Sequence, residues 1–459
     1  MGFAKIVTTT LRYRSSFQAN RKYLEDNVLR TDTFQKSLPH LGVPDLDKTL
    51  YRYLASQEAI DQSSLFAKTK IAVENFGKFR GPELQKMLLM FDAHNPDSSY
   101  ASLLWLELFL GDRRPIVLTH NPVFLFKQSS LGPEYNNTVI RAANLVHSSL
   151  RFLKSLRDNK LKPDILHSYP AISSSKAFER LVGNLPSLVA TYGSYLFKSF
   201  PLDMSQYRNL FNSSRIPGEV VDRHATFMES RHIVVISKGK FYTFDVFNEQ
   251  DDQIPSEQLV SNLELIRNQP EHAAERPSVG VVTAMDRDSA ALARQRLTFL
   301  DGGSGGINAR NLKLIDSAVM VLVLCEGVSD HLPELLSTVL AGPADSRWFD
   351  KSFSLIVNRS GSAAVNFERS LCDSATVLRF VSDIFNDSET RPSVDPCLLE
   401  NTERYDCAVP FFRHGRHLSK CAADCFFLKI ENEGFYSSEC CRCMHSLPHL
   451  QSLSNYEDF

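Results

Sequence analysis

The sequence lacks a charge bias, a long hydrophobic run and, over most of its length, cysteine. The 51 lysine and arginine residues nearly balance 53 aspartate and glutamate residues, leaving a formal charge of −2 at pH 7. This balance gives no support for nucleic acid as a partner. With 43% hydrophobic and 23% charged residues among 459, the chain can bury a large core. Global disorder is therefore excluded.

Cysteine is scarce in most of the chain. Cys325 and Cys372 are the two that precede residue 390, and the other seven of the nine begin at Cys397. This scarcity excludes a disulfide-stapled body and suits a reducing compartment. We interpret the Cys-rich region 388–459 as divergent sequence. A zinc site is the alternative, but the spacing of its cysteines is too irregular for us to assign a metal. The residues concerned are Cys421, Cys425, Cys440, Cys441, Cys443 and His445.

No stretch has the length and apolarity of a clean transmembrane helix. The nearest candidate, Leu181–Phe197, has no charged residue, but Pro186 and Gly193 interrupt it and it is at the short limit for a span. It suits a segment that lies in the membrane interface; the alternative is core buried under a loop. The predicted membrane-associating side chains are Leu181, Leu188, Tyr192, Tyr195 and Phe197.

Acidic residues are absent from the N-terminal region until Glu25. The preceding residues are rich in arginine, serine and threonine, which is typical of a mitochondrial presequence. We therefore predict a presequence at 1–24, with a frayed basic terminus as the alternative.

Apolar spacing predicts helices in much of the first third of the chain. We expect helices within 39–110, at Thr49–Ala55, Phe76–Asp92 and Tyr100–Leu110, followed by a long amphipathic helix at Asn136–Leu156.

Strand signals follow. The run Pro115–Pro122 resembles a short buried strand, and Ala318–Cys325 a strand covered on both faces. Hairpins are predicted at His232–Val246 and at Ser352–Glu368, and a helix at Asp373–Phe385. Helices mixed with hairpins favour an α/β fold with a mixed sheet.

Two stretches have the composition of linkers or loops. The polar stretch Asp251–Ser278 is predicted to be a linker, and Asp301–Gly306 a flexible surface loop. A phosphate-binding loop at Asp301–Gly306 is the weaker alternative, because no Gly-Lys-Ser/Thr follows the glycines.

Four stretches resemble the carnitine/choline acyltransferase family: Ser37–Ser56, Phe200–Gly218, Arg231–Val246 and Arg347–Ser370. The spacing of Ala143–Asp158 and the segment at 181–197 resemble the mitochondrial long-chain members. The resemblance implies a two-lobed α/β architecture. The N-terminal lobe would span 25–387, with a mixed-sheet core at 111–387 and a membrane-associating insert at about 176–200.

The resemblance also implies an activity. Family members transfer acyl groups reversibly between CoA and carnitine, which makes palmitoyl-CoA and carnitine the expected substrates, without a cofactor. The expected location is the matrix side of the inner mitochondrial membrane, in fatty acid metabolism.

One departure concerns the catalytic motif. The family places a general-base histidine between a glutamate and a serine, with an orienting aspartate four residues later. Here Arg369 occupies the histidine position, and Asp373 the aspartate position. A guanidinium has no acceptor lone pair and stays protonated, so it cannot serve as the base. We expect it to pair with Asp373. The histidines at 147, 224 and 232 are expected to be core or surface residues rather than substitutes.

The second departure is that the family pattern stops early, so we expect the second lobe to be largely missing. A remnant of the carnitine site is predicted at 404–417, with Tyr405 and Arg416 as its weak substrate-binding residues. The sequence thus predicts a carnitine O-acyltransferase by descent that is inactive or impaired. The alternative is a non-catalytic pseudoenzyme that retains acyl or membrane binding.

Overall fold

The computed structural model describes residues 22–25, 27, 29–60, 64–95, 98–270, 278–299, 303–326 and 331–396, and the backbone of a short strand at 409–410. Helices are α1 Leu46–Ile60, α2 Ser64–Lys78, α3 Arg80–His94, α4 Tyr100–Gly111, α5 Thr138–Arg157, α6 Pro170–Ser173, α7 Lys176–Gly183, α8 Ala190–Tyr195, α9 Ser256–Arg267, α10 Arg287–Phe299, α11 Ile307–Ser317, α12 Leu332–Leu340 and α13 Ser374–Thr390. Strands are β1 Val123–Leu125, β2 Ile165–His167, β3 Ser199–Pro201, β4 Ser213–Ile216, β5 Arg223–Thr226, β6 His232–Ser237, β7 Lys240–Asp245, β8 Val321–Cys325, β9 Phe353–Asn358, β10 Ala363–Phe367 and β11 Val409–Pro410.

The chain divides into two compact units. One unit, Ser37–Leu110, contains α1 to α4. The stretch Phe76–Asp92 is helical as predicted, but a turn at Phe79 divides it, because α2 ends at Lys78 and α3 begins at Arg80. Phe79 separates them with φ −112° and ψ −69°, outside the narrow range of a regular helix.

The other unit contains a mixed sheet. Its strand order is β1-β10-β9-β8-β6-β7-β11, with β9, β8 and β6 parallel and the remaining neighbours antiparallel. Both predicted hairpins are confirmed as β6–β7 and β9–β10. The apolar run at 318–325 is also confirmed as a strand, and β8 lies at the centre of the sheet. The α/β fold with a mixed sheet is therefore correct.

Alternate side chains of the central strands enter two different cores, as the two-residue period of a strand requires. Val235 and Leu322 pack on the side of α5, α9 and α13. Val234 and Val323 pack on the opposite side, against α10 and α11. Each fully buried valine or leucine stabilises the fold by roughly 1.5–3 kcal/mol. The sheet is thus the middle layer between two layers of helices.

Helix α5 forms the centre of the first core. It is buried along almost its whole length and packs against α9 and α13. The Asn137 side chain caps its start by accepting from the backbone N–H of Val139 at 2.9 Å. The predicted helix at Asn136–Leu156 is confirmed within two residues.

Two other predictions from local composition are wrong. Residues 115–122 form turns instead of a strand, with His120 donating its backbone N–H to the carbonyl of Ile116 at 2.8 Å. Leu118 has φ 65°, which is incompatible with extended backbone. The stretch Asp251–Ser278 is not a plain linker, because it contains α9, whose apolar face is buried.

The predicted insert at about 176–200 folds into α7, α8 and the start of β3. Phe178 and Val182 face the interior of the unit, whereas Leu188 and Tyr192 are 68% and 61% exposed. This region is therefore amphipathic. Among the residues that the structure describes, no helix has the length and apolarity needed to cross a membrane.

Candidate functional site

The predicted catalytic residues lie in the turn between β10 and α13. Strand β10 ends at Phe367, and α13 begins at Ser374 with Asp373 at its N-cap. The predicted start of this helix is confirmed. The turn is held to a neighbouring loop by the backbone N–H of Arg369, which donates to the carbonyl oxygen of His120 at 3.0 Å.

Arg369 and Asp373 form an ion pair, as predicted from their spacing. Gln206 holds the carboxylate from the other side. Its Nε2 donates to Oδ2 of Asp373 at 2.6 Å, and its Oε1 accepts from the Asp373 backbone N–H at 2.7 Å. Burial alone would raise the pKa of Asp373, but the hydrogen bonds from Gln206 and Arg369 outweigh it and lower that pKa. Both carboxylate oxygens therefore have a donor.

Glu368 lies on the opposite side of the turn and is fully buried. Its Oε1 accepts from Nη1 of Arg215 at 3.0 Å. Its Oε2 accepts from the backbone N–H of Ser370 at 3.1 Å and from the Ser370 hydroxyl. A buried carboxylate needs such partners because desolvation of an isolated charge costs several kcal/mol.

A network of buried charges continues from Arg215. Asp222 accepts from Nε of Arg215 at 2.7 Å, from Nε of Arg287 at 2.6 Å and from Nη1 of Arg113 at 2.9 Å. Burial would raise the pKa of Asp222, but the charges of Arg287 and Arg215 outweigh it and lower that pKa. Nη1 of Arg287 also donates to Oδ1 of Asp350 at 2.8 Å, and burial raises the pKa of Asp350 to about 6. The network connects the turn to four separate parts of the chain, at Arg113, at Arg215 and Asp222, at Arg287 and at Asp350.

His224 lies directly beside the predicted catalytic position. Its Nε2 is 2.8 Å from the hydroxyl oxygen of Ser370. Strand β5 pairs with β4 so that His224 is opposite Arg215, and both side chains reach the same turn. Burial lowers the pKa of His224, against the opposing effect of the Glu368 charge, so the ring is neutral near pH 7.

This contact was not predicted from the sequence, from which His224 is expected to be a core or surface histidine, like His147 and His232. His147 is indeed buried, and His232 binds the carbonyl oxygen of Leu314 at 2.8 Å. No local signal identifies the His224–Ser370 pair, because 146 positions separate the two residues. The Arg215–Glu368 pair was missed for the same reason.

Several predicted residues lie outside the described part of the chain. These are Tyr405, Arg416 and the cysteines considered as zinc ligands. Within the described residues, no group of three histidine, cysteine, aspartate or glutamate side chains is placed to hold a metal ion. A cleft of about 620 Å³ lies beside the C-terminal end of α10, between Pro217–Glu219 and Phe299. Neither Arg369 nor Asp373 lines it.

Comparison with known proteins agrees with the fold. Residues 41–408 match the family model described as Choline/Carnitine o-acyltransferase. The chain therefore belongs to the choline/carnitine O-acyltransferase family.

Within that family the chain is similar to mitochondrial carnitine O-palmitoyltransferase 2. It is 38% identical to the Mus musculus protein over 382 residues, covering 83% of this chain and 57% of the relative. Identity to the Homo sapiens protein is 38% over 375 residues, covering 82% and 56%. A putative mitochondrial carnitine O-acetyltransferase of Saccharomyces cerevisiae is 31% identical over 399 residues, covering 77% and 53%. The chain thus spans a little over half the length of these relatives.

Proposed function

We propose that the chain is a carnitine O-palmitoyltransferase-like protein whose acyl transfer is strongly impaired or absent. The substrates would be palmitoyl-CoA or CoA and carnitine, as the names of the relatives indicate. The observation that carries the proposal is the Arg369–Asp373 ion pair at the start of α13. It puts a protonated guanidinium where the family motif has a base.

The chemical consequence follows from the reaction. The attacking thiol or hydroxyl must lose a proton, and the loss of a general base typically costs about 10²–10⁴ in rate. Asp373 does not compensate, because Arg369 and Gln206 occupy its two oxygens. Substrate binding does not require the base. We therefore propose a loss of turnover and not a loss of substrate binding.

The test is palmitoylcarnitine formation from palmitoyl-CoA and carnitine by the purified full chain. Arg369→His restores an imidazole beside Asp373, and Arg369→Gln is the matched control, since it removes the charge without supplying a base. We expect the wild type and Arg369→Gln to be equally inactive and Arg369→His to be faster by about 10² or more. Wild-type turnover equal to that of the human relative would overturn the proposal.

We also propose that the chain associates with the inner mitochondrial membrane on its matrix side. The names of the mouse and human relatives describe those proteins as mitochondrial. The specific support is the exposed apolar surface of Leu181, Leu188, Tyr192 and Leu196, with Lys176, Arg180 and Lys198 exposed nearby. Apolar side chains beside cations match the interface of an anionic membrane. This exposed surface also supports a second candidate function, a non-catalytic membrane-binding protein.

Vesicle flotation tests the membrane proposal. The wild type should float with vesicles of phosphatidylcholine with added cardiolipin. The double variant Leu188→Ser, Tyr192→Ser should stay behind in the unbound fraction. The matched control is Leu292→Ser, Leu378→Ser, because both leucines are about half exposed but lie on other helices. Equal retention of the wild type and the Leu188, Tyr192 variant would contradict the proposal.

A further inference from the structure

The described residues of 22–36 lie along the unit that contains the mixed sheet, and we call them the N-terminal strap. Leu29 and Phe34 are almost completely buried, with exposed fractions of 1% and 2%. The Thr31 hydroxyl donates to the carbonyl oxygen of Leu161 at 2.7 Å. The strap is therefore part of the folded unit.

The first two described residues of the strap each have a specific partner. The Tyr23 hydroxyl donates to Oδ2 of Asp158 at 2.7 Å, and Nζ of Lys160 lies 3.9 Å from the centre of the Tyr23 ring. Nζ of Lys22 lies 2.6 Å from Oδ1 of Asp252, in an ion pair that is about half exposed. Such an exposed pair contributes little to stability, so the contacts of Tyr23 matter more.

Leu24, the third residue, belongs to the core. Its side chain is 7% exposed and packs in the same core as α5. Its backbone N–H donates to Oγ of Ser155, on α5, at 3.0 Å. Its carbonyl oxygen accepts from Nη2 of Arg391, which directly follows α13. Removal of Leu24 would therefore expose apolar core surface and break two hydrogen bonds.

These contacts bear on where the predicted presequence ends. Composition alone sets that end at residue 24, because Glu25 is the first acidic residue. A segment that is removed from the protein cannot contribute contacts to its mature fold. The contacts of Tyr23 and Leu24 therefore favour an end that lies earlier in the chain than composition indicates.

We propose that the presequence is cleaved before Lys22, so that the mature protein keeps Lys22, Tyr23 and Leu24 as the start of its strap. The step is hydrolysis of one peptide bond by a processing protease of the mitochondrial matrix. Water adds across the carbon–nitrogen bond, which leaves a carboxylate on the released peptide and a new amino group on the mature chain. This proposal rests on the mitochondrial location proposed above.

The first test is import of the full chain into isolated mitochondria, followed by mass spectrometry of the N-terminal peptide of the imported protein. We expect a shortened chain whose first residue is Lys22 or an earlier one, with Tyr23 and Leu24 retained. A mature protein that begins at Tyr23 or at any later residue would overturn the proposal.

Two further outcomes separate this proposal from the proposed location. Import without cleavage would reject the presequence, and with it the processing site, but would leave the mitochondrial location in place. A chain that mitochondria do not import would reject the location as well.

The second test measures whether the folded protein depends on the strap. Leu24→Ser in the full chain should lower the melting temperature by at least about 2 °C, because it places a hydroxyl in the core. Leu24→Ala serves the same purpose if the serine variant does not fold. The matched control is Leu292→Ser, at a leucine of the same unit that is 47% exposed. Equal melting temperatures for the Leu24 variants and the control would overturn the proposal, because the mature fold would then not need Leu24.

Discussion

The guanidinium of Arg369 donates to the carboxylate of Asp373, and Gln206 donates to the other oxygen of the same carboxylate at 2.6 Å. Asp373 is thereby committed to two donors at the start of α13. The arrangement stabilises the turn, but it leaves no acceptor at the position where the family motif has its base.

The first prediction concerns the pH dependence of this pair. The hydrogen bonds from Gln206 and Arg369 lower the folded pKa of Asp373, although burial opposes them. The stabilisation is therefore present above the ordinary pKa of 3.8 and is lost as pH falls through the lower folded value. Because the carboxylate is half exposed, we expect Asp373→Asn to cost only about 1 kcal/mol at pH 6. Urea unfolding should show the difference disappearing in acid; a constant difference would contradict the assignment.

The second prediction concerns Glu368. Glu368→Gln leaves the fully buried Arg215 short of a charged partner, and we expect it to destabilise the fold by about 3–5 kcal/mol. Glu264→Gln removes a carboxylate from a pair near the surface, with Arg267, and should cost less than about 1 kcal/mol. Denaturant unfolding of both variants measures this contrast. Equal small losses would show that the buried pair contributes little.

The third prediction concerns His147, whose pKa burial lowers to about 4. Gln253 and Asp387 oppose this effect, and Arg151 adds to it. Between pH 6.5 and 4 the unfolded chain binds a proton that the folded chain does not, so stability falls as pH falls through this range. The loss should reach about 3 kcal/mol.

The variant His147→Gln should remove that dependence, whereas His94→Gln, at an exposed position, should leave it unchanged. Unfolding free energies at several pH values test both. A wild-type profile that is flat over this range would contradict the assignment.

The fourth prediction concerns the β9–β10 hairpin. Gly361 has φ +81°, and a Cβ there would lie 1.9 Å from the backbone oxygen of Asn136. Gly361→Ala should therefore cost at least about 1–3 kcal/mol. Gly111→Ala is the matched control, because its Cβ would meet nothing within 4 Å. Thermal unfolding should separate the two; equal melting temperatures would show that the turn relaxes freely.

Local signals were enough to predict the elements that depend on neighbouring residues. The two hairpins have short polar turns between apolar runs, β8 is a continuous apolar run, and Asp373 begins α13. Secondary structure was predicted wrongly where the local composition was typical of a different structure. The apolar residues of 115–122 form turns. The polar stretch from 251 contains α9, and four of the five apolar residues of this helix are buried.

The site was predictable only in part. The Arg369–Asp373 pair follows from four-residue spacing in one segment, so the sequence contained it. The contacts of Ser370 with His224 and of Glu368 with Arg215 require the β4–β5 ribbon to lie beside the turn. Backbone bonds from Arg215 to Asp350 at 2.8 Å and from Ser352 to Ser213 at 3.0 Å fix that ribbon. Such tertiary placement leaves no periodic trace in the sequence.

We propose that Arg369 prevents base catalysis of acyl transfer. The rate of palmitoylcarnitine formation by the purified chain, compared with that of the human relative under the same conditions, tests this proposal. We expect the chain to be slower by at least about 10². Equal rates would show that Arg369 does not block the reaction.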